Sequence, residues 1–271
     1  MRKENLKLCE TINRLKTDIM FFGFAKVDSS WRGTNIMPLF SRLYYVTEGT
    51  ATLVLKNGKT INLSPQKWYL LPSDCSHDFF CEKQMSHIYF HLKICSFDGI
   101  DLLRACKEPI FIEDAQFDLS EFEKYFSRDD IFSCLILRHI VENKILQILD
   151  KNNVTLKENV VSPCVAQAIK FINDNVSMSL SLDDVLNNVF VAKSTLTKYF
   201  RKELGMSIHQ YIFDKIMFEA EQLLLQNNMS IGQISDKLDF YDQFYFSKCF
   251  KNRYGVSPAE YRKMKKKLLN R

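Results

Sequence analysis

No stretch of the 271 residues approaches the roughly 18 consecutive apolar residues that a membrane-spanning helix requires. The opening residues, MRKENLKLCE, have no apolar signal region followed by small residues, so secretion is not expected. The eight cysteines (Cys9, Cys75, Cys81, Cys95, Cys106, Cys134, Cys164 and Cys249) include no CxxC pair and no tight spacing. That excludes the usual zinc and disulfide frameworks and points to reduced thiols in a cytoplasmic protein. No Ser/His/Asp triad spacing, phosphate loop or paired-carboxylate pattern stands out. The expectation is therefore no enzyme, no cofactor and no membrane partner.

What is present begins with apolar residues, 46% of the chain, enough for ordinary globular cores. The length suggests two domains. The net charge of +5 is modest, but it is unevenly placed. Residues 160–271 carry 16 Lys and Arg against 11 Asp and Glu, whereas residues 1–159 carry 21 of each. All the excess lies in the C-terminal part, which suits contact with an anion such as nucleic acid. The rival explanation is a solvated surface.

Residues 40–95 read as short strands. "RLYYVTEGTATLVLKNGKTINL" alternates, with a hairpin signal at Lys56-Asn57-Gly58-Lys59 and a second turn at Glu48-Gly49. "WYLLPSDCSHDFFCEKQMSHIYFHLKI" follows with a Pro72-Ser73-Asp74 turn and β-prone aromatic runs. Strands at this spacing predict a small barrel or sandwich. The pattern changes at "DDIFSCLILRHIVENKILQILD" (129–150), which reads as a helix with Phe132, Leu135, Ile136, His139, Ile140, Asn143, Leu146 and Ile148 near one stripe. That stripe must be buried, against its own barrel or as a dimerisation or interdomain surface. "KNNVTLKENVVSP" (151–163) is polar and aperiodic and reads as a linker. From Pro163 onward everything reads helical, with turns near 177–181, 190–193, 205–207, 228–230, 239–242 and 255–257.

The helical part repeats itself. "FRKELGMS" (200–207) matches "FKNRYGVS" (250–257) at an offset of 50, while Leu182, Val185 and Val189 map onto Ile231, Ile234 and Leu238 at an offset of 49. One extra residue therefore sits in the second turn. Each copy is a short helix, a turn and a second helix ending at Gly, the outline of a helix-turn-helix. In the second copy Phe240, Phe246 and Phe250 read as core, with Cys249 beside them and Tyr245 half-buried. The opposite stripe is Phe244, Ser247, Lys248 and Lys251, and in the first copy Ser194, Thr197, Lys198 and Arg201 have the same spacing. Small polar residues and cations on one exposed face suit a helix lying in a major groove. With Lys193, Thr195 and Gln243 at the helix starts, these are the candidate DNA-binding residues.

On these residues the chain resembles the AraC/XylS family of bacterial transcription regulators. The signature runs through "SIGQISDKLDFYDQFYFSKCFKNRYGVSPAEYR" (230–262), with Ile231, Ile234, Leu238, Phe240, Tyr245, Phe246, Ser247, Phe250, Lys251, Gly255, Ser257, Pro258, Tyr261 and Arg262 matching. "SLDDVLNNVFVAKSTLTKYFRKELGMSIHQYI" (181–212) matches less strictly. The resemblance implies two helix-turn-helix units joined by a long helix, about His209–Gln226, that enter successive major grooves of double-stranded DNA. Asp239 stands where the family has Gly, Phe190 occupies the equivalent place in the first copy, and Leu186 stands where a small residue is usual. "RLYYVTEGTATLVL…LSPQKWYLLPSDCSH" looks like the cupin-type sensor barrel common in the family.

The expected fold is α+β. A cupin-like β-barrel occupies residues 1–100, a helical interdomain or dimerisation segment with linker 101–158, and an all-α DNA-binding domain with two helix-turn-helix motifs 159–271. The resemblance implies a small-molecule effector, with a sugar one candidate, together with RNA polymerase and a second copy of the chain as partners. In "HIYFHL" His87, Tyr89 and His91 share one strand face. If that face points inward, Met85, His87, Tyr89 and His91 line the barrel with Trp31, Tyr44 or Tyr45, Glu48 and His77, a lining that suits a small polar ligand. The rival is a filled barrel with no ligand. The other classes are a metal-dependent cupin enzyme fused to a DNA-binding domain and a ligand-independent architectural DNA binder. The cupin HxH pair followed closely by Glu is absent, and His87 and His91 lie roughly 13 Å apart along a strand, too far to share an ion directly. No metal site is expected.

Overall fold

The computed structural model describes residues 5–36, 40–73, 75–95, 101–156, 161–226, 228–254 and 256–269. Asp74 of the expected 72–74 turn and Gly255 of the signature lie outside the described residues. The chain divides into two compact units, Met1–Asn159 and Val160–Arg271.

The described residues of the first unit form α1 (Leu6–Arg14), capped by the Asn5 side chain, and then nine strands. These are β1 (Lys16–Asp28), β2 (Arg32–Ile36), β3 (Ser41–Gly49), β4 (Ala51–Leu55), β5 (Thr60–Leu63), β6 (Lys67–Leu71), β7 (His77–Phe80), β8 (Gln84–Cys95) and β9 (Ile110–Glu113). A short 3-10 helix, Leu102–Ala105, separates β8 from β9. The strands pair antiparallel into a five-stranded sheet of order β1-β8-β3-β6-β9 and a four-stranded sheet of order β2-β7-β4-β5. The expected barrel is corrected to this two-sheet sandwich: among the described residues no ladder joins the sheets into a closed barrel. The turns expected at Glu48-Gly49 and Lys56-Asn57-Gly58-Lys59 are present. Gly58 takes φ 81 in the β4–β5 hairpin, and Gly49 takes φ 69 where a Cβ would lie 2.1 Å from the Gln84 carbonyl oxygen. Only glycine satisfies that close approach.

Strand alternation divides the core. Tyr44, Val46, Tyr69, Leu71 and Met85 of the five-stranded sheet meet Ala51, Leu53 and Leu63 of the other sheet. Leu43, Tyr45, Trp68, Leu70, Ile88, Phe90 and Leu92 point the opposite way, toward Phe122 of α2 (Leu119–Phe126) and the buried face of α3 (Ile131–Lys151). That buried face is Leu137, Val141, Ile145, Ile148 and Leu149. Of the stripe expected to be buried, Ile148 belongs to the core and Ile140 packs against it, whereas Phe132, Leu135 and Leu146 are 62%, 60% and 62% exposed and do not pack against the sheet. The helix is apolar nearly all round, so periodicity alone did not select the packed side.

The second unit is helical throughout: α4 (Pro163–Asp174), α5 (Leu182–Val189), α6 (Lys193–Leu204), α7 (Ile208–Gln226), α8 (Ile231–Lys237), α9 (Gln243–Tyr254) and α10 (Pro258–Leu269). Serine starts the equivalent helices. Ser181 and Asp184 form a reciprocal capping box on α5, Ser230 and Gln233 another on α8, and Ser257 and Glu260 pair in the same way before α10. Each satisfies otherwise orphaned amides of a first turn. Leu196, Phe200 and Leu204 of α6 and Phe246, Cys249 and Phe250 of α9 are buried, as are Val185, Val189 and Ile234 of the preceding helices.

Candidate nucleic-acid interface and sheet interior

The two helix-turn-helix units are α5–α6 and α8–α9. Each first helix ends in a left-handed residue, Phe190 and Asp239, both at φ 56. From Phe190 the chain reaches α6 after Val191 and Ala192. From Asp239 it reaches α9 after Phe240, Tyr241 and Asp242. The additional residue fits the change of offset, and Phe240 uses it to enter the core at 6% exposure, its ring 5.0 Å from that of Phe246.

Burying Leu196, Phe200 and Leu204 turns the opposite side of α6 outward. Lys193, Ser194, Thr195, Thr197, Lys198 and Arg201 are all exposed. Burying Phe246, Cys249 and Phe250 does the same for α9, leaving Gln243, Phe244, Lys248 and Lys251 exposed and Ser247 half-buried. Tyr245, expected half-buried, is 45% exposed. Every candidate DNA-binding residue therefore lies on the side of its helix away from the core. Five of the eleven are cations, and none forms an ion pair among the described residues.

A polar knot that the sequence does not announce secures the second unit. The Glu221 carboxylate of α7 is 1% exposed and accepts hydrogen bonds from the hydroxyls of Tyr254 (3.2 Å) and Tyr261. Tyr254 also donates to the Met217 carbonyl at 3.1 Å, and Arg262 donates to the carbonyls of Leu224 and Met229 at 3.2 and 2.8 Å. Burial, with the Glu221 charge next, holds the Tyr254 hydroxyl far above its ordinary range, so it remains a donor. The knot ties the end of α9 and α10 to α7. Tyr261 and Arg262 of the signature thus hold α10 against α7. The sequence of α7 does not single out Glu221, because Glu219 lies two residues before it on the same helix.

In the first unit the His87 face does point between the sheets: β8 places Met85, His87 and Tyr89 opposite the four-stranded sheet. Tyr44 approaches His87, with ring centroids 4.8 Å apart, and Trp31 lies 6.3 Å from His87 and 4.2 Å from Phe79. His91 stacks on Phe40 at 4.7 Å and lies 5.3 Å from Tyr89. Two expected members do not join this group. Tyr45 faces the helices, where its hydroxyl donates to the Asp114 carbonyl, and Glu48 is exposed at the strand end beyond a register shift between Val46 and Glu48. Arg42, which the sequence reading did not single out, shares the Tyr44 face and opposes the burial that raises the Tyr44 hydroxyl.

Burial drives the His87 pKa down to about 4 and lowers that of His77. His77 Nδ1 lies 2.8 Å from the Cys75 carbonyl oxygen, which assigns the proton to Nδ1 and leaves Nε2 an acceptor. His77 Nε2, His87 Nδ1 and Arg42 Nε are buried without a hydrogen-bond partner among the described residues. No group of three or more His, Cys, Asp or Glu among the described residues is placed to hold a metal ion.

Comparison with known proteins meets this geometry from outside. A helix-turn-helix domain family matches residues 186–264, both units at once. The Msm operon regulatory protein of Streptococcus mutans is 26% identical over 93% of this chain and 94% of its own length. The xylose operon regulatory protein of Escherichia coli is 33% identical, but over only 38% of this chain and 26% of its own length. Among solved structures, apo ToxT from Vibrio cholerae superposes with a TM-score of 0.65 at 15% identity, covering 92% of this chain and 96% of that one; at that identity the likeness is one of fold. No helix among the described residues is long and apolar enough to cross a membrane. With its paired units, its outward cations and an operon regulator matched along nearly its full length, the chain is similar to operon regulatory proteins and shares their helix-turn-helix domain, in line with the resemblance to the AraC/XylS family.

Proposed function

We propose that residues 159–271 read a two-part operator, with α6 and α9 in successive major grooves, and that a small molecule held between the sheets of the first unit controls this binding. The observation that carries the reading is the repeated exposed stripe, Ser194-Thr197-Lys198-Arg201 on α6 and Phe244-Ser247-Lys248-Lys251 on α9. A helix presents base-reading side chains near its N-terminus and phosphate contacts farther along. Lys193, Ser194, Thr195, Thr197, Lys198, Gln243, Phe244, Ser247 and Lys248 are therefore assigned to the groove, and Arg201 and Lys251 to phosphate. The protein acts by binding rather than by catalysis, in the cytoplasm, with RNA polymerase as a further partner.

For the effector, the double-sheet architecture is of the kind cupins share. Buried polar atoms are ordinarily paired, so the orphaned nitrogens of His77 and His87 beside Tyr44, Tyr89 and Trp31 favour a ligand with hydroxyl groups over a filled interior. Tyr45 and Glu48 are left out of this site. The xylose and arabinose operon regulators among the relatives make sugars the first compounds to try, and ToxT with a bound unsaturated fatty acid makes long-chain acids the second. The exposed Phe132, Leu135 and Leu146 face of α3 is assigned to a second copy of the chain.

One experiment addresses both parts. Sugars and fatty acids are screened by thermal shift on the full chain, and any hit is added to a binding assay on DNA enriched from a random pool. A ligand at 100 times its dissociation constant stabilises by about 2.7 kcal/mol. The expected result is a hit whose shift is lost in His87→Phe and which changes the affinity for DNA. A hit that leaves DNA binding unchanged removes the control, and an absence of DNA binding removes the whole reading.

A further inference from the structure

Phe244 is the second residue of α9 and is 84% exposed, although its helix buries three side chains on the other face. The exposed rings beside it, Tyr241 and Tyr245, each carry a polar hydroxyl, which at Tyr245 meets the Cys249 thiol. Phe244 has no such group. The fold does not need a ring there, because the first helix-turn-helix places Ser194 at the equivalent position, also outward, while α6 still buries Leu196, Phe200 and Leu204. The ring also shares its stripe with Ser247, Lys248 and Lys251, so it lies within the surface assigned to DNA.

We infer that Phe244 recognises the C5-methyl group of a single thymine in the half-site beneath α9. The inference rests on α9 entering the major groove, as proposed above. In that groove guanine, adenine and cytosine present only hydrogen-bonding edges, and thymine alone adds an apolar methyl beside its O4 acceptor. A phenyl ring carried in at the helix N-terminus gains by covering the methyl. Against any other base it buries a donor or acceptor that it cannot satisfy. Gln243, the residue before it, and Lys248, one turn farther along the stripe, supply the hydrogen bonds for neighbouring positions. A consequence follows for the operator: although the protein units are repeats, their half-sites are not, since Ser194 imposes no such demand for thymine.

The test uses the full-length chain. Duplexes are enriched from a random pool, and each thymine of the selected site is replaced singly by deoxyuridine, which removes the methyl and nothing else. One replacement should weaken binding about fourfold, the worth of burying one methyl-sized group. Phe244→Ser, which copies the first unit and disturbs no buried contact, should be indifferent to that same replacement and should no longer select thymine there. Tight binding that no deoxyuridine replacement weakens overturns the inference while leaving the DNA-binding reading intact. A penalty that persists in Phe244→Ser assigns the methyl to another residue, again against the inference. Uniform weakening by Phe244→Ser with no methyl effect means that the ring packs on the sugar-phosphate backbone. Failure to enrich any sequence overturns the groove assignment and this inference together.

Discussion

The first helix-turn-helix unit turns through Phe190 and the second through Asp239. Both residues adopt the left-handed backbone that favours glycine, yet they are accommodated differently. Phe190 is 88% exposed and its ring contributes little to the fold. The Asp239 carboxylate accepts hydrogen bonds from the hydroxyls of Ser177 (2.6 Å) and Ser179 (3.0 Å), and the adjacent Leu238 carbonyl accepts from the Met178 amide at 2.9 Å. The turn of the second unit is thus stitched to the loop that leads into the first. The same strained position is a plain cost in one copy and a tether between copies in the other. A residue that departs from a family pattern therefore has to be judged by what its side chain touches.

The largest expected effect concerns what the units share. Phe200→Ala and Phe250→Ala each remove a fully buried ring at equivalent places and should each destabilise residues 160–271 by about 3–5 kcal/mol in denaturant titrations. A loss of under 1 kcal/mol at either site would break the equivalence of the two cores. Next come the readers. Lys198→Ala or Lys248→Ala should cost about 1–3 kcal/mol on the selected operator and relax preference at one base pair. If every base preference survives in both variants, these lysines touch only phosphate.

The turns separate the units more finely. Phe190→Gly relieves the left-handed strain and gives up no packing, so it should stabilise by about 1 kcal/mol. Asp239→Gly gains the same relief but loses both serine contacts, so it should stabilise less or destabilise. Equal gains from the two would show the tether to be idle. The tether also has a pH signature. The Ser177 and Ser179 hydroxyls hold the Asp239 carboxyl below its usual value, so its contribution is present above the ordinary carboxylate range and is lost as pH falls through the lowered value. Asp239→Asn should remove that acid-dependent part of the stability profile. The smallest effect is on salt dependence: Lys251→Ala or Arg201→Ala should weaken binding to all sequences alike and flatten the salt slope by about one unit. A base-specific change would move either residue into the reading set.

The two compact units also differ in how far their sequences disclosed them. The helical unit was legible almost to the residue, because period, serine caps and the Gly205 stop agree locally, and because a repeat checks each boundary twice. The sheet unit was legible only in its middle. β1, "KTDIMFFGFAKVD", is apolar on both faces and shows no clean alternation, and α1 carries Leu6, Leu8 and Ile12 outward with nothing buried, so neither follows the usual pattern. Within the candidate sensor site, alternation could not choose between Tyr44 and Tyr45, because a one-residue shift exchanges the faces of a strand. The irregularity after Val46 then removed Glu48 from the series. Arg42 and the Glu221 knot come from distant pairings that no local pattern encodes.

The central claim is that one compact, cation-rich unit carries the whole of the DNA contact. The most direct test is to produce residues 160–271 alone, confirm helical folding by circular dichroism, and titrate the fragment onto duplex DNA from low to physiological salt. The account predicts binding whose logarithm falls linearly with the logarithm of salt, at about −0.9 per phosphate neutralised. A fragment that folds yet binds no DNA at low salt would contradict it.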